Sequence, residues 1–466
     1  MPSIVTPAGS PPDPTPAGSP PDPTPAGSPP DLLRLATAGS VDDGKSTLVG
    51  RLLFDTKSVL VDQIDAITRA SVDKGLSTPD LSLLVDGLRA EREQGITIDV
   101  AYRYFATPRR SFVLADTPGH VQYTRNTVSG ASTAQLVVLL VDARKGVITQ
   151  TRRHAAVLAL LGVPRLVLAV NKIDLVEDPA GTYAEIVAEL ARMTRALGWA
   201  DEAVQAIPVS ALHGDNVVTR SERTPYYHGP TLLEHLEQVP TDAEPHRVGL
   251  RFPVQYVIRP RTAEHPDYRG FAGQVAAGTV SPGDPVVVLP SGTRTTVLRV
   301  DTADGELASA ETGRSVTLVL ADEVDASRGD LLASPDDAPR AVTELDATVC
   351  WLAELPLRPG ARLLLKHGTR TTQAVVTAIT ERFDEQQLAT VDGPETLGLN
   401  DIGRVSLRTA EPLPVDDYAL SRRTGSFLLI EPASGNTLAA GLVGDALAGV
   451  ERGAPAPLGA ASTPAV

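Results

Sequence analysis

Five short segments of the 466-residue chain have residue types and an order that are typical of a site for binding and hydrolysing GTP. A glycine-rich loop comes first. A Gly-Ile-Thr segment, an Asp-Thr-Pro-Gly-His turn, an Asn-Lys-Ile-Asp motif and a Ser-Ala-Leu segment follow it. Each segment alone is a modest signal, but five in this order leave little room for chance. The segments are residues 39–47, 95–98, 116–120, 171–174 and 210–212.

The first segment is predicted to be a phosphate-binding loop, because it follows a strand pattern and opens a helix pattern. Its glycines let backbone N–H groups turn toward phosphates, and the helix N-terminus adds the positive end of its dipole. We expect Lys45 to reach the outer phosphates and the Ser46 hydroxyl to bind Mg²⁺. Taken alone, the segment could also be a glycine-rich turn with an incidental Lys-Ser pair. The predicted contacts are Gly39, Ser40, Val41, Asp42, Asp43, Gly44, Lys45, Ser46 and Thr47.

Two further segments predict contacts to Mg²⁺ and to the terminal phosphate. Asp116 ends an apolar strand pattern, where its carboxylate can hold Mg²⁺ through water, and Gly119 offers a backbone N–H to the phosphate. Thr97 can sense the third phosphate through its hydroxyl on Mg²⁺, and the polar residues before it indicate a mobile switch. The alternatives are a turn or helix cap at Asp116 and a short β-run at Thr97. The predicted contacts of the turn are Asp116, Thr117, Pro118, Gly119 and His120.

The last two segments are predicted to select the base. The Asn-Lys-Ile-Asp motif follows an apolar strand, so it lies at the carboxyl edge of a sheet, where ligands bind in such folds. The Asp174 carboxylate can accept hydrogen bonds from N1 and N2 of guanine, a donor pair that adenine lacks. A helix N-cap is a second reading, and it does not compete with the first. The predicted base contacts are Asn171, Lys172, Asp174, Ser210, Ala211 and Leu212.

His120 is the candidate for orienting the water that attacks the terminal phosphate. Catalysis of phosphoryl transfer is mostly positioning and charge stabilisation, so orienting water matters more than basicity. A surface histidine is the alternative, but the position next to Gly119 argues against it. The expected catalytic residues are therefore His120, Lys45 and Gly119, with Ser46, Thr97 and Asp116 as the Mg²⁺ ligands.

Composition limits the class of protein. A formal net charge of −15 argues against a general nucleic-acid binder, because such proteins usually present basic surfaces. Cys350 is the single cysteine, which excludes intramolecular disulfides, favours a reducing cytoplasm and reads as a small buried hydrophobe. No apolar run approaches a membrane span, and the N-terminus lacks the pattern of a secretory signal.

Hydrophobic patterning predicts three domains. Compact apolar runs alternate with helix patterns between residues 32 and 240, which predicts an α/β domain with a parallel sheet covered on both faces. From residue 248 the sequence pattern changes to short strands separated by Gly, Pro and Asp turns. This pattern predicts two small β-barrels at 248–330 and 341–443, with a linker at 330–341. The strand candidates are 32–38, 111–115, 136–141, 166–170, 252–257, 273–277, 285–289, 295–300 and 316–320.

The two ends of the chain read as disordered. Residues 6–31 are three copies of a nine-residue unit rich in proline, which blocks helices and sheet ladders, and residues 1–31 have almost nothing to bury. The tail at 444–466 is rich in Ala, Gly and Pro and reads the same way. A spacer is the favoured interpretation of the repeat, with a proline-dependent partner site as the alternative.

The phosphate loop and segments outside it resemble one family of GTPases. Elongation factors usually have His-Val-Asp-His-Gly-Lys-Thr-Thr in this loop, whereas the Asp42-Asp43 pair and the Ser46-Thr47 pair are similar to the GTPase (large) subunit of bacterial sulfate adenylyltransferase. The resemblance spans roughly residues 32 to 443 and is specific, because it extends well beyond the shared GTPase motifs. The similar segments are 91–99, 122–126, 141–146, 150–154, 251–257, 259–260, 268–273, 351–357 and 425–432.

The resemblance implies an α/β P-loop GTPase domain followed by two β-barrels, with GTP and Mg²⁺ as ligands. It also implies an activity, in which GTP hydrolysis drives the formation of adenylyl sulfate and pyrophosphate from ATP and sulfate. The adenylylating site of that family lies in a separate small subunit, which we expect as the partner, without nucleic acid or membrane. In agreement, the sequence contains a single P-loop motif and no obvious second nucleotide site.

Two other functions share some of these features. A translation factor that delivers aminoacyl-tRNA has the same domain order and the same five motifs. The acidic charge, the Asp42-Asp43 pair and the Arg-Phe-Pro-Val-Gln-Tyr run at 251–256 stand against it. A scaffold that binds GTP without hydrolysing it is the third reading, and His120 argues against that one.

Overall fold

The structure is a computed structural model that describes residues 31–59, 61–73, 79–85, 99–120, 123–241, 248–260, 267–446 and 451–452. Thr97 and the rest of segment 95–98 lie outside the described residues. So does the proline-rich repeat, apart from Asp31. The roles expected for them stay predictions, as do the outer limits of the domains.

A six-stranded sheet forms the centre of the first domain. Its strands are β1 (Leu32–Ala38), β2 (Ala101–Ala106), β3 (Ser111–Asp116), β4 (Leu136–Asp142), β5 (Leu166–Asn171) and β6 (Val204–Pro208). The strand order is β2-β3-β1-β4-β5-β6. All neighbours are parallel except β2 and β3. The prediction of a parallel sheet is therefore wrong for this edge strand, because a tight turn joins β2 to β3, in which Thr107 N–H donates to the Arg110 carbonyl at 2.9 Å.

Helices cover both faces of this sheet, as the uninterrupted apolar strands predict. Every residue of β4 and β5 is buried. The helices are α1 (Lys45–Asp55), α2 (Val61–Asp73), α3 (Thr124–Ala131), α4 (Thr149–Leu160), α5 (Pro179–Ala196) and α6 (Leu232–Gln238). Local signals fix two of their starts. The Asp178 side chain caps α5 just before Pro179, and Thr231 and Glu234 form a capping box on α6.

The second domain is a closed β-barrel. Its strands are β7 (Arg251–Ile258), β8 (Gly270–Gln274), β9 (Thr279–Val280), β10 (Pro285–Leu289), β11 (Thr293–Thr302), β12 (Gly305–Glu306), β13 (Ala310–Glu311), β14 (Ser315–Leu320) and β15 (Leu331–Ala333). Six of them follow the order β10-β15-β7-β8-β14-β11, and the antiparallel pair β10–β11 closes the ring. Phe252, Phe271 and several valines fill its interior.

The third domain is a second closed barrel. Its strands are β16 (Ala341–Trp351), β17 (Arg362–His367), β18 (Arg370–Asp384), β19 (Ala389–Asp392), β20 (Ile402–Pro414), β21 (Ser426–Ile430), β22 (Thr437–Val443) and β23 (Glu451–Arg452). The ring follows the order β17-β21-β22-β16-β20-β18 and closes through β17–β18. Closure leaves none of these six strands with an open edge, which protects the barrel from pairing with other chains.

The barrels correct three expectations from the sequence. β15 pairs with β7 and β10, so the connection between the barrels starts after Ala333, later than the predicted linker at 330. The strand expected at 273–277 is β8, which begins and ends three residues earlier. At the C-terminal end, Asp445 pairs with Arg404, and β23 pairs with β19. The tail predicted from 444 therefore stays attached to the third domain at these residues.

An apolar surface joins the first and third domains. Buried residues of α4 share one continuous cluster with Phe383, Ile402 and Leu442 of the third domain. Cys350 lies in this cluster, which confirms that it is a small buried hydrophobe, and burial raises the pKa of its thiol to about 12. The Tyr418 hydroxyl also donates to the Leu161 carbonyl at 2.8 Å.

A buried ion cluster joins the two barrels. The Arg251 guanidinium of β7, 1% exposed, donates from Nε and Nη2 to the two carboxylate oxygens of Asp416 at 2.9 and 3.0 Å. Its Nη2 also donates to the Asp337 carbonyl, and Nη1 pairs with the Asp337 carboxylate at 3.2 Å. Asp416 accepts a further hydrogen bond from the Thr424 hydroxyl. One arginine therefore ties the second domain to the linker and to the third domain.

Arg251→Leu is expected to destabilise the barrels by about 3–5 kcal/mol, because it leaves the buried Asp416 carboxylate without its cation. The measurement is the midpoint of urea unfolding followed by tryptophan fluorescence. The exposed Arg294→Leu serves as the matched control and should stay within about 0.5 kcal/mol. Replacing both partners, as Arg251→Leu with Asp416→Leu, should recover part of the loss. Equal midpoints for Arg251→Leu and the control would contradict the role assigned to this cluster.

Candidate nucleotide site

The glycine-rich loop wraps around the side chain of Lys45. The loop connects β1 to α1, and Lys45 is the first residue of α1. Its buried Nζ donates to the carbonyl oxygens of Gly39 and Ser40 at 2.9 and 2.8 Å. The Asp43 carboxylate accepts the Ser40 N–H at 2.7 Å, which closes the loop on itself. The predicted loop residues therefore form one compact turn with an ammonium group in its centre.

Gly44 is required by both conformation and space at the end of the loop. Its φ is 93°, in the left-handed region that favours glycine, and a Cβ atom there would lie 2.4 Å from Asn171 Nδ2. Gly44 is the N-cap of α1 and provides no side-chain hydrogen bond to the helix. The first N–H groups of the 11-residue α1 can therefore serve an anion at the positive end of the helix dipole.

Burial shifts the pKa values of the charged side chains around the loop. It lowers the pKa of Lys45, and the nearby carboxylates of Asp116 and Asp43 oppose that shift. Burial also raises the pKa of Asp43, while the Lys45 ammonium opposes the change. The ammonium and the two carboxylates thus form a desolvated cluster in which each charge depends on the others.

The Asp116 turn packs directly against the loop. Asp116 is the last residue of β3 and is fully buried, and its Oδ1 accepts the Thr37 hydroxyl at 2.6 Å. Thr117 donates its hydroxyl to the Thr37 carbonyl, and the Pro118 carbonyl accepts from Thr127. A Cβ atom on Gly119 would lie 2.7 Å from both the Gly39 carbonyl oxygen and the Ser40 carbonyl carbon, so only glycine fits there. The structure therefore brings Asp116 and Gly119 to Lys45, as the motifs predict.

His120 lies at the rim of this turn and is only partly buried. Its ring is tilted against the ring of Tyr123 with the centroids 5.9 Å apart, and its carbonyl accepts the Tyr123 N–H. His120 follows directly after Gly119, which packs against the phosphate loop. Its catalytic role stays a prediction.

The Asn171 side chain connects three loops. Asn171 ends β5 and is buried, and its Nδ2 donates to the Asp43 carbonyl at 2.7 Å. Its Oδ1 accepts the Ala211 N–H at 2.9 Å. The phosphate loop and the segment after β6 are therefore held on the same amide, which is what a shared nucleotide pocket requires.

The neighbours of Asn171 form the rest of the predicted base site. Lys172 has a left-handed backbone with φ 60°, and its Nζ contacts the Asp42 carbonyl and lies 3.0 Å from Asp142 Oδ2. The Asp174 carboxylate is 12% exposed and lies 3.6 Å from His213 Nε2. The carboxylate that is predicted to read guanine is thus mostly buried, and the His213 ring lies near it.

The segment 210–212 is fixed from outside the pocket. Arg51 on α1 donates from Nε to the Ala211 carbonyl at 3.3 Å and from Nη2 to the Leu212 carbonyl at 2.6 Å. The Ser210 hydroxyl accepts the His213 N–H at 3.3 Å. Leu212 is exposed, so its side chain is available to a bound base.

Sequence reasoning missed several residues that hold the site together. The missed residues are Thr37, Arg51, Asp142, Arg144, Gln150, His154 and His213. Asp142 carried a usable signal, because it ends the apolar strand β4 at the same sheet edge as Asp116 and Asn171. Although its burial acts in the other direction, hydrogen bonds from Arg144 and Lys172 hold the pKa of Asp142 below its ordinary value.

The donor chemistry near Lys45 suits Mg²⁺. Asp116 provides a carboxylate and Ser46 a hydroxyl at the start of α1, and hard divalent cations prefer such oxygen ligands. Within the described part of the chain, no group of three or more His, Cys, Asp and Glu side chains could hold a metal ion. The residues present fit a nucleotide-bound Mg²⁺.

Two domain families match the chain. Residues 31–241 match the "Elongation factor Tu GTP binding domain" and residues 344–444 match the "GTP-eEF1A C-terminal domain-like" family. Among solved structures, sup35 complexed with GDP matches with a TM-score of 0.40 and 24% identity over 89% of this chain and 94% of that one, a likeness too distant to bear on the site. No helix in the described residues combines the length and the hydropathy that a membrane span needs.

Curated relatives are much more similar. "Sulfate adenylyltransferase subunit 1" of Methylorubrum populi is 50% identical over 430 residues, which are 91% of this chain and 90% of that protein. The protein of the same name from Bacteroides fragilis is 50% identical over 89% of this chain and 86% of its own length. The "Bifunctional enzyme CysN/CysC" of Mycobacterium tuberculosis is 54% identical over 88% of this chain, which spans 67% of that relative.

With these matches, the loop around Lys45 and the pocket around Asn171 define the chain as a GTP-binding protein of the class that includes elongation factors. Over the 416 to 430 aligned residues, half are identical to relatives of which the chain covers 86% and 90%. The chain belongs to the sulfate adenylyltransferase subunit 1 family. It is therefore an enzyme subunit with a GTP-binding domain and two β-barrel domains.

Asp174→Asn is expected to weaken GTP binding by about 1–3 kcal/mol, roughly 5- to 150-fold in Kd, and to favour xanthosine triphosphate. The amide places a donor opposite the amino group of guanine, whereas xanthine has a carbonyl there. Competition binding with the two nucleotides is the measurement. Asp178→Asn, at the cap of α5, is the matched control and should keep the wild-type preference. An unchanged preference for GTP in Asp174→Asn would remove Asp174 from the base pocket.

Proposed function

We propose that this chain hydrolyses GTP and that the hydrolysis drives formation of adenylyl sulfate and pyrophosphate from ATP and sulfate on a partner subunit. The observation that carries the proposal is the pair of hydrogen bonds made by the Asn171 side-chain amide, one to the loop that contains Lys45 and one to Ala211. The chain in which they occur is a member of this family. This contact joins a phosphate site to a site for the base. The family name supports the sulfate chemistry, which the chain itself does not display.

GTP binding uses two regions of the site, the phosphate loop and the residues at the carboxyl edge of the sheet. The loop N–H groups, the start of α1 and Lys45 hold the phosphates, because they combine backbone donors with a desolvated ammonium. Asp174 accepts from guanine, while the Lys172 stem lies along the base. Segment 210–212 closes the pocket from the other side, with Arg51 keeping its carbonyls in position.

Hydrolysis transfers the terminal phosphoryl group of GTP to water, and GDP is the leaving group. The water oxygen bonds to the γ-phosphorus, the bond to the β–γ bridging oxygen breaks, and the proton of the water ends on the inorganic phosphate. The His120 ring orients the water, and the Gly119 N–H and Lys45 stabilise the charge on the phosphoryl oxygens. Ser46, Asp116 and Thr97 would hold a Mg²⁺ ion, which neutralises phosphate charge when bound.

A separate partner fits the chemistry of this chain. Its P-loop motif occurs once, and the base pocket is specific for guanine through Asp174, so ATP and sulfate have no evident site here. Relatives named as a numbered subunit support a heteromeric complex. We infer that the barrels serve as docking surfaces and that the partner, the small adenylylating subunit, performs the transfer to sulfate. The switch segments around Thr97 and His120 would pass the nucleotide state to it.

His120→Ala is expected to keep GTP binding and to lower the hydrolysis rate by roughly two to four decades, because other residues hold the nucleotide. Single-turnover hydrolysis on the pre-bound complex isolates this step. The exposed His228→Ala is the control and should hydrolyse GTP at the wild-type rate. If His120→Ala also turned over at the wild-type rate, another group would be orienting the water.

Pyrophosphate release from ATP and sulfate tests the coupling. The chain alone should hydrolyse GTP slowly and make no adenylyl sulfate, and adding the small subunit should raise GTP turnover and give a GTP-dependent yield. Lys45→Ala should abolish the GTP-driven part while size-exclusion chromatography still shows the complex. Robust product from the chain alone, or a yield from the mixture that ignores GTP, would overturn the proposal.

A further inference from the structure

Two residues of α4 contact both sides of the proposed phosphate pocket. His154 is fully buried, and its Nδ1 accepts the Gly39 N–H at 3.0 Å. Gln150 lies one helical turn earlier, with its Nε2 3.0 Å from His154 Nε2. The same Nε2 lies 3.4 Å from the Gly119 carbonyl, to which it donates. A chain of contacts thus runs from the first residue of the phosphate loop to Gly119.

The His154 ring is neutral in this position. Burial lowers its pKa to about 3, and the nearby cations of Lys45 and Arg153 act in the same direction. A neutral imidazole has one acceptor nitrogen, and the Gly39 N–H requires an acceptor at Nδ1. The ring proton is therefore on Nε2, so this nitrogen is a donor and makes no hydrogen bond with the Gln150 Nε2 that it contacts. The neutral ring holds the Gly39 N–H and carries no charge into the pocket.

The distance between Gly39 and Gly119 matters for the terminal phosphate. A Cβ atom on Gly119 would lie 2.3 Å from Lys45 Nζ and 2.7 Å from the Gly39 carbonyl, so the two peptides border the same small space. A phosphate that contacts both Lys45 and the Gly119 N–H must fit between them. The position of the Gly119 peptide therefore decides whether that phosphate can bind.

The helix that carries these residues is anchored on its other faces. Arg152 pairs with Glu189 of α5 at 2.6 Å, and Arg153 donates from Nε to Glu385 of the third domain at 2.8 Å. The end of α4 is held by the hydrogen bond from Tyr418 to Leu161. Because the helix is anchored, the positions of Gln150 and His154 are fixed, and these side chains can therefore set the position of the turn that contains Gly119.

We propose that Gln150 and His154 are positioning residues for the terminal phosphate of GTP, holding Gly119 at the distance from the phosphate loop at which that phosphate binds. This inference rests on the proposed GTPase function. It assigns neither residue to contact with the nucleotide. Both act through backbone groups, His154 on Gly39 and Gln150 on Gly119.

The proposal predicts that the pair affects GTP and GDP differently. In Gln150→Leu the Kd for a non-hydrolysable GTP analogue should rise roughly tenfold, the loss of about one hydrogen bond, while the Kd for GDP stays within about twofold. His154→Leu should weaken the GTP analogue more than GDP. His154→Asn should restore most of the preference, since the asparagine Oδ1 can accept the Gly39 N–H. Fluorescent nucleotide titrations with both ligands give the ratio.

Controls separate this role from simple support of the fold. Arg152→Gln, on the face of α4 that meets Glu189, should leave the GTP-to-GDP affinity ratio unchanged. If His154→Leu does not fold, the partly exposed Gln150 still provides the test. Equal losses for GTP and GDP, or no rescue by His154→Asn, would overturn the proposal. A wild-type chain that fails to bind or hydrolyse GTP would overturn the proposed function instead.

Discussion

The nucleotide site depends on one buried amide. Asn171 is fixed at the end of a fully buried strand, and from there its side chain donates to the phosphate loop and accepts from the loop after β6. Parallel strands bring their carboxyl ends to one edge of the sheet, but nothing in the sheet itself aligns the loops that follow. Asn171 joins both loops with its two hydrogen-bonding groups, and Arg51 and Lys172 add further contacts between the same segments. The positions of Lys45 and Asp174 relative to each other follow from these contacts.

Most of the first domain could be predicted because its signals are local. The limits of β1 agree with the sequence pattern, and β3, β4 and β5 extend one residue beyond their patterns, each ending in the polar residue that closes the strand. A capping box and a helix-starting proline fix the starts of α6 and α5. The five motifs are likewise short runs of neighbouring residues that can be recognised in the sequence. Such features can be predicted from the sequence because they depend on residues that are close together in the chain.

The missed features depend on distant parts of the chain. The antiparallel β2 follows from the tight turn at 107–110, and β15 follows from pairing with a strand about 80 residues earlier. His154 appears in the sequence as one of several polar residues in the first half of its helix, and only the fold brings it to Gly39, 115 residues away. Asp142 pairs with Lys172 because β4 and β5 are neighbours in the sheet.

The shared apolar cluster of the first and third domains limits how this protein can be divided. The GTP-binding domain has its own sheet, helices and pocket, yet part of its outer surface is covered by Phe383, Ile402 and Leu442. A fragment that stops near residue 241 would leave that surface in water, and exposed apolar patches of this kind promote self-association. The GTP-binding domain and the third domain are therefore best treated as one structural unit, although each has its own fold.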